Sequence, residues 1–343
     1  MELWATRIPN AATAVAQARK AEAAGWDGIT FTDSQNLIAD PFVMSALAAQ
    51  STERLQFATG VSNLHTRHPA SLATVAATTQ ETSGGRFVLG LGRGDTALFH
   101  LGLEPMKVAA FAERLEMLQT YLSGGVVDID GRPSEIKWLR AAEAPKVPVD
   151  LASSGPRVIA LAGRLCERIT FAVGADPDRL RWAIDLASTA AKEAGRDPAD
   201  ISFGAYVNVG CHPDVAVARE IIGGGVSAFA HFSSMPGSTG EGLREEDREV
   251  VAEVGRRYDS NQHLRATATH NEALRPEFVD RFAVVGPPDV CVERFVELGD
   301  LGLERFVITG PSFGSDREHS QLAERLLVTE LIPALRDRKV RSP

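Results

Sequence analysis

The stretch LQFATGVSNLHTRHPASLATVAATTQETSGGRFVLGL, residues 55–91, decides the fold. An apolar run from Leu55 to Val61 leads through a polar turn into an Ala/Thr-rich segment, Pro69 to Thr82, and then into a second apolar run, Arg86 to Leu91. Short apolar runs bounded by turn residues read as strands, and the segment between them reads as a helix starting at Pro69, because a proline disfavours helical geometry in the residue before it. Strand, helix, strand is the unit of a parallel sheet covered by helices.

The same alternation continues on both sides. Leu3 to Ile8 reads as a strand and Ala11 to Ala24 as a helix stopped by Gly25, a natural left-handed cap. Asp27 to Thr32 (DGITFT) is a second strand, followed by a helix after Pro41. Further along, Val147 to Ala152, Arg168 to Ala172, Ile201 to Cys211 and Arg305 to Thr309 read as strands. The helices between and after them are Gly155 to Gly163, Pro177 to Ala194, Asp289 to Leu298 and Ser315 to Arg336. Eight βα units predict an α/β fold, a (β/α)8 TIM barrel, although a doubly wound open sheet has similar local patterns. The segment Gly223 to Glu277 interrupts the rhythm with a triple glycine, the apolar VSAFAHF, the loop SSMPGSTGEG and a charged helix near Glu245 to Tyr258. It reads as an insertion near the seventh strand of one domain spanning residues 1–343.

The 343 residues are 44% hydrophobic and 24% charged, as in a soluble globular protein. A formal charge of −9 without any Lys/Arg block argues against nucleic acid as a partner. Cys166, Cys211 and Cys291 lie far apart, which suits a reducing compartment and gives no zinc signature. The N-terminus MELWATRIPN lacks the marks of a signal peptide, and no apolar run approaches the ~20 residues of a membrane span. The expectation is a cytoplasmic enzyme acting on a small molecule.

In such a barrel the chemistry gathers at strand C-termini. There the sequence offers Asp33, Ser34, Asn63, His65, Arg67, His68, Arg93, Asp95, Ser153 and Ser154. His65 and His68 have a metal-ligand look, but Pro69 disfavours a helix at His68 and no HExxH follows, so no metal is assigned. The alternative is a polar turn in which Arg67 or His68 holds backbone carbonyls. GLGRGD (Gly90 to Asp95) lacks the full GxGxxG and the Walker residues; its glycines let the backbone approach something flat. Asp95 is either a general acid, if a ligand buries it, or a cap of the next segment. Ser153-Ser154-Gly155-Pro156 is either an anion site suited to a phosphate or a simple helix cap.

Taken in order, these residues resemble the bacterial luciferase-like flavin and deazaflavin oxidoreductases, most closely the branch using coenzyme F420. The resemblance rests on AEAAGWDGITFTD (residues 21–33), on residues 60–95, on ASSGPRVIALAGR (residues 152–164) and on residues 286–311. GVSNLHTRHP is similar to the third-strand loop of methylenetetrahydromethanopterin reductases. The resemblance implies a barrel with an insertion near the seventh strand, a homodimer, and a cis peptide outside proline at Gly60-Val61. It also implies that Asp33 and Asn63 contact the deazaflavin head and that Val61 backs the ring. Gly92, Gly94 and Asp95 would line the ring edge, and Ser153, Ser154 and Gly155 would hold the cofactor phosphate. His65 becomes a candidate substrate-side acid.

One departure stands out. The glucose-6-phosphate dehydrogenase relatives have a histidine immediately after the second-strand Asp, serving as base, where this chain has Ser34. Hydride donation to an electrophilic substrate is therefore favoured over alcohol oxidation. The alternatives are an FMN-dependent monooxygenase on the same barrel and, from another class, a non-redox binding barrel or a metal hydrolase.

Overall fold

The computed structural model describes residues 1–235 and 240–341. Pro236 to Thr239, within the expected SSMPGSTGEG loop, lie outside the described residues. Eight strands carry the fold: β1 Glu2–Arg7, β2 Gly28–Phe31, β3 Gln56–Thr59, β4 Phe87–Gly92, β5 Val149–Ser153, β6 Arg168–Phe171, β7 Ser202–Cys211 and β8 Arg305–Thr309. Their order is β7-β8-β1-β2-β3-β4-β5-β6, and β6 pairs β7, so the sheet is a closed parallel barrel and the open-sheet alternative falls away. All of β2 and all of β4 is buried, which is why both read as continuous apolar runs.

The chain divides into two compact units. One comprises Thr6–Ala152 with Arg164–Arg168; the other comprises Met1–Ala5, Ser153–Gly163 and Ile169–Pro343.

In the first unit, β2, β3 and β4 pair in parallel, with Phe31 opposite Thr59 and Phe57 opposite Phe87. The fully buried rings of Phe31 and Phe57 stack at 6.4 Å, each burial worth about 1.5–3 kcal/mol. Two clamps fix the strands where they begin. The Glu22 carboxylate accepts the amides of Glu53, Arg54 and Leu55 at 3.0, 2.7 and 2.9 Å. Burial would raise the pKa of this group, but those amides hold it below the usual carboxylate value. Arg86 donates to the carbonyls of Ala49 and Leu55, each at 2.8 Å. The helix Pro69–Thr82 has the bounds the sequence predicts. Between β4 and β5 lie two features the sequence reading did not identify, the helix Val108–Leu122 and the hairpin Val127–Ile129 with Arg132–Ser134. The helix buries Phe111, Leu115, Leu118 and Leu122 at helical spacing.

In the second unit, β8 lies between β7 and the start of β1, with Gly204 and Glu2 both in register with Arg305. Arg305 is buried and donates to Ser202 and Thr170 hydroxyls, each at 3.0 Å. Gly223 to Gly225, read from sequence as a break, lie inside the helix Val215–Ser234. The physical reason is close approach: a Cβ on Gly225 would meet Asn208 Oδ1 at 2.2 Å, and one on Gly224 would meet the Arg265 carbonyl at 2.6 Å. The charged helix Glu245–Arg257 opens with Glu245, Glu246 and Asp247 and ends with Arg256 and Arg257, in keeping with the helix dipole.

Candidate active site

Within the first unit, the C-terminal ends of β2, β3 and β4 bring the expected residues together. The strand expected to run to Val61 ends at Thr59, and the Gly60-Val61 peptide that follows is cis. Ser62–Asn63 then forms a short strand that pairs with β4, Asn63 lying in register with Gly92. Space is short around this crossing. A Cβ on Gly60 would come within 2.8 Å of Thr30 Cβ, and one on Gly92 within 2.8 Å of Val61 Cγ2. Val61 itself is half-buried, an apolar ledge beside the glycines of β4.

Asp33 follows β2 and is 8% exposed. Arg67 Nη2 stands 3.5 Å from its Oδ2 and 2.9 Å from Asp40 Oδ2, while the guanidinium lies 4.9 Å from the centre of the Phe42 ring. Burial pushes the Asp33 carboxyl above the usual carboxylate value, and the Ser62 hydroxyl and Arg67 pull against that shift. Asp40 adds a repulsive push of its own and caps the helix Pro41–Ala49 through the amides of Phe42 and Val43. Arg67 thus holds two carboxylates rather than backbone carbonyls. Among the described residues His68 holds no carbonyl either: its Nδ1 accepts the Ala70 amide at 3.2 Å and caps the helix Pro69–Thr82.

Asn63 is buried, and its Oδ1 accepts the amides of His65 and Thr66 at 3.0 and 2.9 Å together with the Thr66 hydroxyl at 3.1 Å. Three donors on one atom fix the amide's orientation, so what Asn63 has to offer a ligand is its Nδ2. Arg114, from the helix Val108–Leu122, holds the same loop by donating to the Leu64 carbonyl at 2.7 Å. Asp95 is half-buried, and its carboxylate does not cap the helix Thr96–Phe99 that it precedes. Gly94 next to it has φ +89°, a left-handed conformation that glycine adopts freely. Ser34 Oγ, His65 Nδ1 and Thr96 Oγ1 are buried and make no hydrogen bond among the described residues. Buried polar atoms of this kind are costly unless a ligand or water meets them.

Gln35 was not singled out in the sequence, whereas Asn36 opens the loop NLIAD, Asn36 to Asp40, expected from the sequence to help form the substrate pocket. Gln35 Nε2 donates to the Ala97 carbonyl at 2.7 Å and Asn36 Nδ2 to the His100 carbonyl at 3.3 Å, tying the loop after β2 to the segment after β4. The available signal for Gln35 was its place in the loop that follows a strand C-terminus.

In the second unit, Ser153 is fully buried at the end of β5 and its carbonyl accepts the Ala172 amide at 2.8 Å. The Ser154 hydroxyl donates to the Phe232 carbonyl at 3.2 Å. The Gly155 carbonyl accepts the Val158 and Ile159 amides, opening the helix Pro156–Leu165. With the Ser154 proton committed, the donors this helix start has for an anion are backbone amides.

A parallel barrel with the buried polar atoms of Ser34, His65 and Thr96 beyond the C-terminal ends of its strands has the architecture of barrel enzymes. The chain belongs to the luciferase-like monooxygenase family, whose model matches residues 3–305, and is a luciferase-like oxidoreductase. It is 27% identical to the 5,10-methylenetetrahydromethanopterin reductase of Methanolobus tindarius over 92% of this chain and 94% of that protein. It is 29% identical to the F420-dependent glucose-6-phosphate dehydrogenase of Microbacterium testaceum, over 86% of this chain and 82% of that one. Among solved structures, the coenzyme F420 dependent tetrahydromethanopterin reductase from Methanopyrus kandleri matches with a TM-score of 0.73 at 24% identity, covering 97% of this chain and 99% of that one.

Proposed function

We propose that this chain is an F420-dependent oxidoreductase that transfers a hydride between C5 of the deazaflavin and a small organic substrate. The observation that carries this reading is the Val61 ledge, set so tightly against Gly92 that no Cβ fits between them and flanked by the buried polar atoms of Asp33, Ser34 and His65. An apolar plane with a polar rim fits a flat heteroaromatic head bearing carbonyl and N–H groups. The F420-dependent glucose-6-phosphate dehydrogenase above, similar over most of its length, supports the deazaflavin over other flat cofactors.

When bound, the cofactor supplies a hydride at C5. Val61 backs one face of the ring and leaves the other to the substrate, so orientation is this chain's main contribution. Gly92 and Gly94 let the backbone approach the ring edge. Asp95 would stand at that edge, and backbone amides there would stabilise negative charge on the bound head group. Asp33, whose burial shifts its carboxyl toward the protonated form, would contact the head group, and Asn63 would donate to it through Nδ2. His65 is the substrate-side acid. In the second unit, Ser153, Ser154 and Gly155 hold the cofactor phosphate. With Ser34 where a base would stand, the favoured direction is reduction of an electrophilic substrate.

Titrating the apoprotein with F420 and with FMN tests the reading: F420 is expected to bind more tightly, and a strong FMN preference would overturn it in favour of an oxygen-activating monooxygenase. The proposal includes a cytoplasmic homodimer. Light scattering that gives a monomer would remove the dimer from it.

A further inference from the structure

The turn that follows the Gly60-Val61 peptide is held from outside by a residue on another element of the first unit. Arg114 lies on the helix Val108–Leu122, three residues after Phe111 and four before Leu118, both fully buried. That spacing puts its side chain on the packed side of the helix. It is half-buried, and its Nη1 donates to the Leu64 carbonyl at 2.7 Å. Among the described residues it forms no ion pair. A guanidinium spent on a main-chain oxygen rather than on a carboxylate serves the backbone that carries that oxygen.

Leu64 is fully buried and directly precedes His65. The Leu64 carbonyl and the His65 amide belong to one peptide group, and that group is gripped at both ends: Arg114 holds the oxygen at 2.7 Å, and Asn63 Oδ1 accepts the N–H at 3.0 Å. In a trans peptide the two point in opposite directions, so the grips lie on opposite sides and resist rotation of the plane. The same Asn63 oxygen takes the Thr66 amide and hydroxyl, and Asn63 itself is in register with Gly92. His65 Nδ1 makes no hydrogen bond among the described residues, so its ring is placed by the main chain rather than by a bond from that atom. Without Arg114 the buried Leu64 carbonyl would be an unsatisfied acceptor. Rotating the peptide to find it another donor would pull the His65 N–H off Asn63 and release the amide that Asn63 holds in one orientation.

We propose that Arg114 is a positioning residue: through the Leu64–His65 peptide it fixes the direction of Asn63 Nδ2 and the place of the His65 ring, and so sets the turn before the flat head group binds. The hold on the turn is a property of the free protein; in naming the head group the inference rests on the F420 reading.

Two variants test it. Arg114→Met keeps an unbranched stem and removes the donors, whereas Arg114→Lys keeps one charged donor group. Amide hydrogen exchange, followed by NMR on protein without cofactor, reads the grip. In Arg114→Met the His65 and Thr66 amides should exchange about tenfold faster or more, while the amides of β4 and of the helix Pro69–Thr82 keep their wild-type rates. Arg114→Lys should recover part of the lost protection. F420 affinity, measured by the quenching of the cofactor's fluorescence, should fall about tenfold in Arg114→Met and by less in Arg114→Lys. A side chain that merely props the fold would speed exchange across helix and strand alike, and that result overturns the proposal. Unchanged exchange at His65 and Thr66, or wild-type F420 affinity in Arg114→Met, overturns it as well. A wild type that does not bind F420 refutes the cofactor reading, and faster exchange confined to the turn in Arg114→Met then still supports the hold on the turn.

Discussion

Replacing Gly92 by alanine probes the ledge on which the cofactor reading stands. The added Cβ would lie 2.8 Å from Val61 Cγ2, whereas carbon atoms in ordinary contact sit about 3.5–4.0 Å apart. The overlap is therefore about 0.7–1.2 Å. Valine cannot relieve it by a free rotation, because two γ-carbons restrict its χ1, so Val61 must move with its backbone. Overpacking of this kind costs about 1–3 kcal/mol. At about 2 °C per kcal/mol for a chain of this size, that is a drop of about 2–6 °C in melting temperature. A ledge displaced by most of an ångström also loses contact with a flat ligand, so F420 affinity, followed by the cofactor's own fluorescence, should fall about tenfold or more. The double variant Gly92→Ala/Val61→Ala removes the clash and should recover most of the stability, a coupling of about 1–2 kcal/mol, without recovering the affinity. If Gly92→Ala melts and binds like the wild type, or if the double variant is destabilised by the sum of the two single changes, the ledge is not what it has been taken for.

Three further outcomes bear on the same mouth. Because burial raises the Asp33 pKa, the folded chain keeps a proton between the ordinary value of 3.8 and that raised value which the unfolded chain has lost, so this group's contribution to stability falls as pH rises through that window. Asp33→Asn should then raise the apoprotein's melting temperature at pH 7, with the difference shrinking as pH falls toward 3.8, while F420 binding weakens; a lowered melting temperature at pH 7 would contradict it. Arg67→Met strips the cation from both Asp33 and Asp40 and should cost about 1–3 kcal/mol in urea unfolding, with a smaller cost in an Asp33→Asn background; equal costs would show that Asp33 draws nothing from the cation it shares with Asp40. Asp95→Asn should lower kcat by about 10²-fold with KM little changed, and unchanged turnover across the pH range would remove Asp95 from the chemistry.

The eight strands were legible because a strand buried on both faces reads as an unbroken apolar run, and Phe87 to Gly92 shows it. The helix Pro69–Thr82 was legible to its ends because His68 and Pro69 start it by local rules and Gly84, at φ +63°, stops the chain from continuing. Gly223 to Gly225 were not legible: glycine marks a break by propensity, and its reason here is the Asn208 side chain and the Arg265 carbonyl, brought in from elsewhere in the chain. The same division runs through the site. Asp33, Asn63 and Asp95 could be singled out by their position after strands, but nothing local says that Asn63 turns its oxygen inward to hold its own loop. Arg67 looked like a turn residue because the two carboxylates it joins lie 34 and 27 positions before it.

The clamps of Glu22 and Arg86 bear on how this protein can change over time. Both grip the backbone where strands begin, and neither leans on the loops that follow β2, β3 or β4. Residues 34–38, partly or fully exposed after β2, are thus free to drift with little risk to the sheet, and a new substrate range can be reached by sequence variation confined to them. A library restricted to those five positions is accordingly a sensible place to search for new activities on this scaffold.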